Sequence, residues 1–343
     1  MHFFLKKNPR ALSLFLWALL PGALTQASPS IQEATPTAAL PELEIPSNQI
    51  SISGLSSGAF LAVQLGIVYS SQIHGVGSFS GGIYNCAENK VDQAKDLCMK
   101  RPKDIDVDHF VGSLVGLAAT NEIDNVDNLA QQKIYIFHGQ ADTAVLPESS
   151  NKLNDFYTKL KATVKIEKSI VSGHGFPSIR GTVKCDLQYV PWMNKCNFDG
   201  AEELFKHFYG PLLVASAEDK TQKNLLHFNQ SEFITPETMM LPDAWAYIPD
   251  FCQKNSNQCR LHIALHGCLQ NPQIVQDAFI RGSGLNEWAD SNHIVVLYPS
   301  VGSSPQENPM GCWDWWGYTG SNYANKKGPQ IKAIKAMMDR LTK

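Results

Sequence analysis

The chain carries few charges and no basic tract. Asp, Glu, Lys and Arg make up only 18% of its 343 residues, with 29 cationic against 32 anionic side chains. Past the first ten residues no run of Lys or Arg stands out, which argues against nucleic acid as a partner. None of the eight cysteines forms a C-x-x-C pair and no histidine cluster accompanies them, so no metal centre is expected and no cofactor is called for. There is no internal repeat, and no Thr/Ser/Pro-rich joint leads to a separate binding module. Beyond the N-terminus no apolar run is long enough to span a membrane. What remains has the length for one large-cored domain, expected to act as a monomer.

The N-terminus has a plain pattern. Lys6, Lys7 and Arg10 precede an apolar run, Ala11 to Leu24, which ends near Thr25-Gln26-Ala27. That is the layout of a signal peptide over residues 1–27, cleaved before Ser28, and Pro21 with the short run argues against a retained anchor. A secreted or periplasmic protein is expected. Residues 28–47, rich in Pro, Ala, Thr and Glu, read as a flexible leader, and residues 48–343 as one catalytic domain. In an exported chain eight cysteines suggest disulfides. Nearest-neighbour pairing gives Cys86–Cys98, Cys185–Cys196 and Cys252–Cys259, leaving Cys268 with Cys312, although sequence alone allows many other pairings.

From Gln49 onward strands and helices alternate. Strands are expected at 49–53, 75–80, 133–137, 164–171, 260–265 and 294–298, with helices at 59–69, 149–160, 282–292 and 330–341. This βαβ alternation predicts an α/β fold, a mostly parallel central sheet with helices on both faces. Gly54-Leu55-Ser56-Ser57-Gly58 sits between the first strand and the first helix. Strand, G-x-S-x-G, helix is the nucleophile elbow of α/β-hydrolases. It leaves Ser56 exposed above the sheet edge, with the N–H of Ser57 directed at the same spot as an oxyanion donor.

A serine hydroxyl needs a base, and the base needs an orienting acid. In this fold the order is serine, acid, histidine, each at the C-terminal end of a strand. Asp142 fits the acid, after strand 133–137 and His138-Gly139. His174, in the loop Gly173-His174-Gly175, fits the base. His138 and His266 each precede a glycine at a strand end and read as loop-positioning residues.

The second oxyanion donor is displaced. It normally comes from an H-G loop that precedes the nucleophile, yet only the leader lies before Ser56. Leu265-His266-Gly267-Cys268 has the right look, followed by a helix, a strand and a C-terminal helix. Joining the C-terminus to Asn48 restores the usual order. The chain therefore reads as a circular permutation, which works where termini lie close together.

With these pieces in order, the chain resembles the extracellular poly(3-hydroxybutyrate) depolymerases of the single-domain, circularly permuted type known from fungi. The matching segments are Gly54-Leu55-Ser56-Ser57-Gly58-Ala59-Phe60, His138-Gly139 with Asp142, Gly173-His174-Gly175, Leu265-His266-Gly267-Cys268, and Gly311-Cys312-Trp313-Asp314-Trp315-Trp316-Gly317-Tyr318. The resemblance implies a Ser56–Asp142–His174 triad, backbone donors at Ser57 and Cys268, and tryptophan lining a polymer groove. Trp313, Trp315 and Trp316 are also suited on physical grounds to form an apolar wall for a polyester with methyl side groups. A Cys268–Cys312 bond would tie that wall to the oxyanion loop.

The expected activity is that of a serine esterase acting on poly(3-hydroxybutyrate) or its oligomers. A carbohydrate-ester esterase, of feruloyl or acetylxylan type, shares the loop and elbow. A polymer-binding protein that kept the scaffold without turnover is the remaining class, and the intact Ser, Asp and His argue against it.

Overall fold

The computed structural model describes residues 38–217 and 221–343. The expected signal peptide, 1–27, and the first ten residues of the expected leader lie outside the described residues.

Eight strands form the central sheet: β1 (Ile50–Leu55), β2 (Ile73–Phe79), β3 (Lys133–Phe137), β4 (Thr163–Glu167), β5 (Leu225–Asn229), β6 (Asp243–Tyr247), β7 (Arg260–Leu265) and β8 (Ile294–Tyr298). Their order across the sheet is β4-β3-β2-β1-β7-β8-β6-β5. All neighbouring pairs are parallel except those of β6, which runs antiparallel to both β8 and β5. The principal helices are α1 (Ser57–Val68), α2 (Val107–Ala119), α3 (Glu148–Lys159), α4 (Gly200–Tyr209), α5 (Leu285–Asn292) and α6 (Pro329–Leu341). Three short strands, Phe176–Ser178, Val183–Lys184 and Met193–Lys195, make a small separate parallel sheet.

Central strands read as apolar runs because both faces are covered: β7 and β8 are buried along nearly their whole length. Helix α1 is buried at every position and is apolar all round, so it sits inside the molecule rather than on it.

Read from β5 through the C-terminus and then from the N-terminal side to β4, the sheet has the α/β-hydrolase arrangement, with one exchange of neighbours (β7 and β8) beside β1. The join is physically short. The Ile45 N–H donates to the Leu341 carbonyl at 3.2 Å, so the chain entering β1 lies against the end of α6.

That contact corrects part of the leader expectation. Residues 38–47 form no helix or strand, yet Leu40 and Ile45 are buried in the main core, and the Asn229 N–H donates to the Ala38 carbonyl at 2.8 Å. Pro- and Glu-rich composition masked two core anchors. The other differences are at ends: β4 stops at Glu167 rather than Val171, and α5 begins at Leu285 because Gly284, with φ +79°, separates it from a short turn of helix at Ala278–Gly282. The antiparallel pair β5–β6 and helices α2 and α4 were not anticipated.

Candidate active site

The elbow begins where β1 ends. Ser56 has φ 55° and ψ −119°, backbone that a residue with a side chain rarely adopts. It is held there by its own N–H donating to Phe79 O on β2 at 2.9 Å and by its carbonyl accepting from the first turn of α1. The motif glycines answer a need for close approach. A Cβ on Gly54 would stand 2.3 Å from the Gly58 backbone, and one on Gly58 would stand 2.4 Å from the His266 carbonyl. The elbow and the late H-G loop are thus packed backbone to backbone. Ser56 itself is half-buried, and its hydroxyl has no hydrogen-bond partner among the described residues.

Asp142 lies in the loop between β3 and α3, almost wholly buried. One carboxylate oxygen, Oδ1, accepts the N–H groups of Ala144 at 2.9 Å and Val145 at 3.0 Å. The other, Oδ2, accepts from His174 Nδ1 at 2.7 Å. Burial opposes ionisation, but the His174 charge and the hydrogen bonds from His138 and His174 outweigh it, holding the carboxyl well below the usual carboxylate range. The His174 ring meets Trp192 edge-on at 5.9 Å. Its Nε2 has no hydrogen-bond partner among the described residues, and so is free to take a proton.

Two amides fix this pair and left no signature in the sequence. Gln188 accepts through Oε1 from the N–H groups of both Thr143, at 3.1 Å, and His174, at 3.3 Å, clamping the Asp142 loop to the His174 loop. Asn194, buried, holds Nδ2 within 3.2 Å of the carbonyls of Gly173, Cys185 and Leu187. The Cys185–Cys196 disulfide closes the same loop. His138 carried a legible clue: it stands four residues before Asp142, and its Nε2 is 3.2 Å from Asp142 Oδ2.

On the opposite side of Ser56, β7 runs into His266-Gly267-Cys268. The Gly267 N–H donates to Gln270 Oε1 at 2.8 Å and that of Leu269 to the Met310 carbonyl at 2.7 Å. Neither the Cys268 N–H nor the Ser57 N–H has an acceptor among the described residues. His266 Nδ1–H donates to the Gly267 carbonyl at 2.8 Å, while Nε2 accepts the Val301 N–H at 3.3 Å. A peptide's C=O and N–H point in opposite directions, so fixing the Gly267 carbonyl aims the Cys268 N–H. Burial lowers His266 to about 4, keeping the ring neutral and able to accept at Nε2.

The four disulfides are those of nearest-neighbour pairing, including Cys268–Cys312. This last bond, with Cα atoms 4.2 Å apart, joins the His266-Gly267 turn to the tryptophan loop. Within that loop the buried Asp314 carboxylate accepts from the N–H groups of Trp316, Gly317, Tyr318 and Thr319 and from the Thr319 hydroxyl. A cleft of about 390 Å³ is lined by Ser56 and Cys268 together with Phe60, Met99, Val145, Trp315 and Trp316. Trp315 stacks on Phe60, ring centroids 4.1 Å apart. Trp313 departs from expectation. It is fully buried, tilted against the His266 ring at 5.3 Å, and does not line the cleft. Its backbone N–H donates to the Ser57 hydroxyl at 3.2 Å.

No protein-family profile matches the chain. It is 39% identical over 307 residues to a poly(3-hydroxybutyrate) depolymerase of Delftia acidovorans, a match covering 88% of this chain and 61% of that protein. The chain thus spans less than two thirds of that relative. It is 34% identical over 321 residues to a polyhydroxybutyrate depolymerase of Talaromyces funiculosus, covering 88% of this chain and 92% of the other. The crystal structure of the PHB depolymerase from Penicillium funiculosum superposes with a TM-score of 0.81 at 31% identity, covering 89% of this chain and 99% of that one. A serine-to-alanine variant of a PHB depolymerase, solved with an R3HB trimer, matches with the same figures. At this identity, and over nearly the whole Talaromyces protein, the chain belongs to the poly(3-hydroxybutyrate) depolymerase family.

Proposed function

We propose that this protein is an exported serine esterase that hydrolyses poly(3-hydroxybutyrate) or its soluble oligomers through Ser56, His174 and Asp142. The observation that carries this reading is one cleft lined by the strained Ser56, by Cys268 and by Val145, whose N–H is held by the same Asp142 carboxylate that accepts from His174. Family membership, and a relative solved with an R3HB trimer, support the polyester.

Ser56 Oγ attacks the ester carbonyl as His174 Nε2 takes its proton. The oxyanion is met by the N–H groups of Ser57 and Cys268, which need no reorganisation when charge develops. Asp142 holds the imidazole tautomer and stabilises the imidazolium. His174 then returns the proton to the departing hydroxyl oxygen, leaving an acyl-Ser56. Water, deprotonated by the same Nε2, attacks that acyl group, and His174 returns the proton to Ser56 Oγ as the acyl–oxygen bond breaks and the hydroxyacid leaves. Apolar contact with Trp315, Trp316 and Phe60 favours a chain bearing methyl groups.

Export is part of the proposal. It is supported by four closed disulfides and by the signal-like N-terminus. No described helix is long and apolar enough to cross a membrane.

The test is release of soluble hydroxybutyrate from polymer granules and from the trimer, run beside feruloyl and acetylxylan esters. Ser56→Ala should remove ester hydrolysis by roughly 10⁵-fold or more while circular dichroism stays unchanged. Preferential release of ferulate or acetate would transfer the reading to carbohydrate esters, and retained activity would mean another nucleophile.

A further inference from the structure

Asp142 has two histidine partners. His174 Nδ1 lies 2.7 Å from Oδ2, and His138 Nε2 lies 3.2 Å from the same oxygen. His138 is wholly buried at the end of β3. Its Nε2 is also 2.9 Å from the Val145 carbonyl, and its Nδ1 is 2.6 Å from the hydroxyl of Ser150 on α3. A carbonyl oxygen can only accept, so Nε2 carries a hydrogen. That N–H is shared between Val145 O and Asp142 Oδ2, and Ser150 fixes the ring from behind.

The two carboxylate oxygens are therefore used differently. Oδ1 is filled by two backbone N–H groups. Oδ2 is divided between two imidazoles. We propose that His138, locked by Ser150, is a positioning residue that draws on the same carboxylate oxygen as His174 and thereby sets the pH at which the Asp142–His174 pair takes up a proton. The inference rests on reading Asp142 and His174 as acid and base.

The direction follows from the hydrogen bonds. The titratable side chains that touch Asp142 are His138 and His174. Ser150 faces His138, while Gln188 and Trp192 face His174, and all three are uncharged. Withdrawing the His138 N–H leaves more of the Oδ2 charge for the His174 side, and leaves the buried carboxylate with one fewer donor. Both changes make it easier to add a proton to the pair, which titrates as a unit. The acid limb of kcat/KM should then move to higher pH.

The experiment compares wild type with Ser150→Ala, His138→Leu and His138→Gln. The readouts are the pH dependence of kcat/KM on p-nitrophenyl acetate and an NMR titration of the pair with labelled histidine, which does not depend on turnover. His138→Leu should move the acid limb up by about half to one pH unit. Ser150→Ala, which keeps the ring but frees its orientation, should move it the same way by less and is mild enough to fold. His138→Gln, which can still donate, should restore the wild-type midpoint. An unmoved midpoint in Ser150→Ala and His138→Leu, even with activity lost, or a Gln variant that shifts like Leu, would overturn the proposal. A wild-type enzyme that cleaves the short ester but spares the trimer would defeat the polyester reading and leave this one standing.

Discussion

Two strands on either side of the Ser56 strand end in the same dipeptide. β3 runs into His138-Gly139 and β7 into His266-Gly267, and both imidazoles are buried and bonded through both nitrogens. Yet one ring serves a charge and the other a dipole. His138 turns its N–H to the Asp142 carboxylate, whereas His266 turns its N–H to the Gly267 carbonyl and thereby aims the Cys268 N–H. An identical local signal thus acquires its function from what stands further on: a carboxylate four residues after His138, at Asp142, or a bare peptide two residues after His266, at Cys268.

The hardest way to strain this contrast is to remove the charge itself. Asp142→Asn keeps the size of the side chain but lets Nδ2 face His174 Nδ1, favouring the wrong tautomer. It should lower kcat on any ester by roughly 10³- to 10⁴-fold, measured at the plateau of the pH profile. A loss under tenfold would mean that Asp142 does not orient the base.

Next comes the dipole side. His266→Leu should free the Gly267–Cys268 peptide to rotate, lowering kcat by about 10- to 100-fold, somewhat less than outright loss of an oxyanion donor. The acid limb of kcat/KM should stay where it is, because no proton on the Asp142–His174 pair is touched. A shifted acid limb in this variant would erase the distinction between the two turns.

How much of this was legible beforehand depends on the kind of signal. The elbow, the order of Asp142 and His174, the rearranged H-G loop and the sheet's parallel centre are encoded locally, by turn residues at strand ends and by buried apolar runs. Three disulfides followed from short sequence separations, and Cys268–Cys312, 44 residues apart, was the pair left over. Trp313 was misread because three tryptophans in four residues look alike until the backbone decides which ones point inward. Here the Ser57 hydroxyl and the Cys268–Cys312 link fix the start of the loop, and Asp314 gathers the rest around its carboxylate, so Trp315 and Trp316 reach the cleft and Trp313 does not. Gln188 and Asn194 were invisible, since a lone amide shows its worth only through contacts across the fold. The core role of Leu40 and Ile45 was hidden for the same reason: nothing near them in sequence announces the end of α6.

The smallest expected effect separates the two turns by acid stability. Asp142 is held below its ordinary value, so the stability it contributes is complete above about 3.9 and is lost only as pH falls through its lower folded value. His266 works in a different window. Burial holds it near 4, against 6.5 for an ordinary histidine, and the same cause takes His262, hydrogen-bonded between Ser51 and Ser53, to about 3. Between those values and 6.5 the unfolded chain binds protons at these two sites that the folded chain does not. Stability must therefore rise with pH across that window and fall as acid is added, with a slope of about 1.4 kcal/mol per pH unit for each such histidine. Urea unfolding between pH 4.5 and 6 should show this slope, and His266→Leu should reduce it by about one proton's worth whatever it does to stability at pH 7. Other partly buried histidines add to the absolute slope but cancel in that difference. An unchanged slope would mean that His266 takes up its proton in the folded state, where a protonated Nε2 could no longer accept the Val301 N–H and the Gly267 carbonyl would lose the fixed ring that aims its peptide.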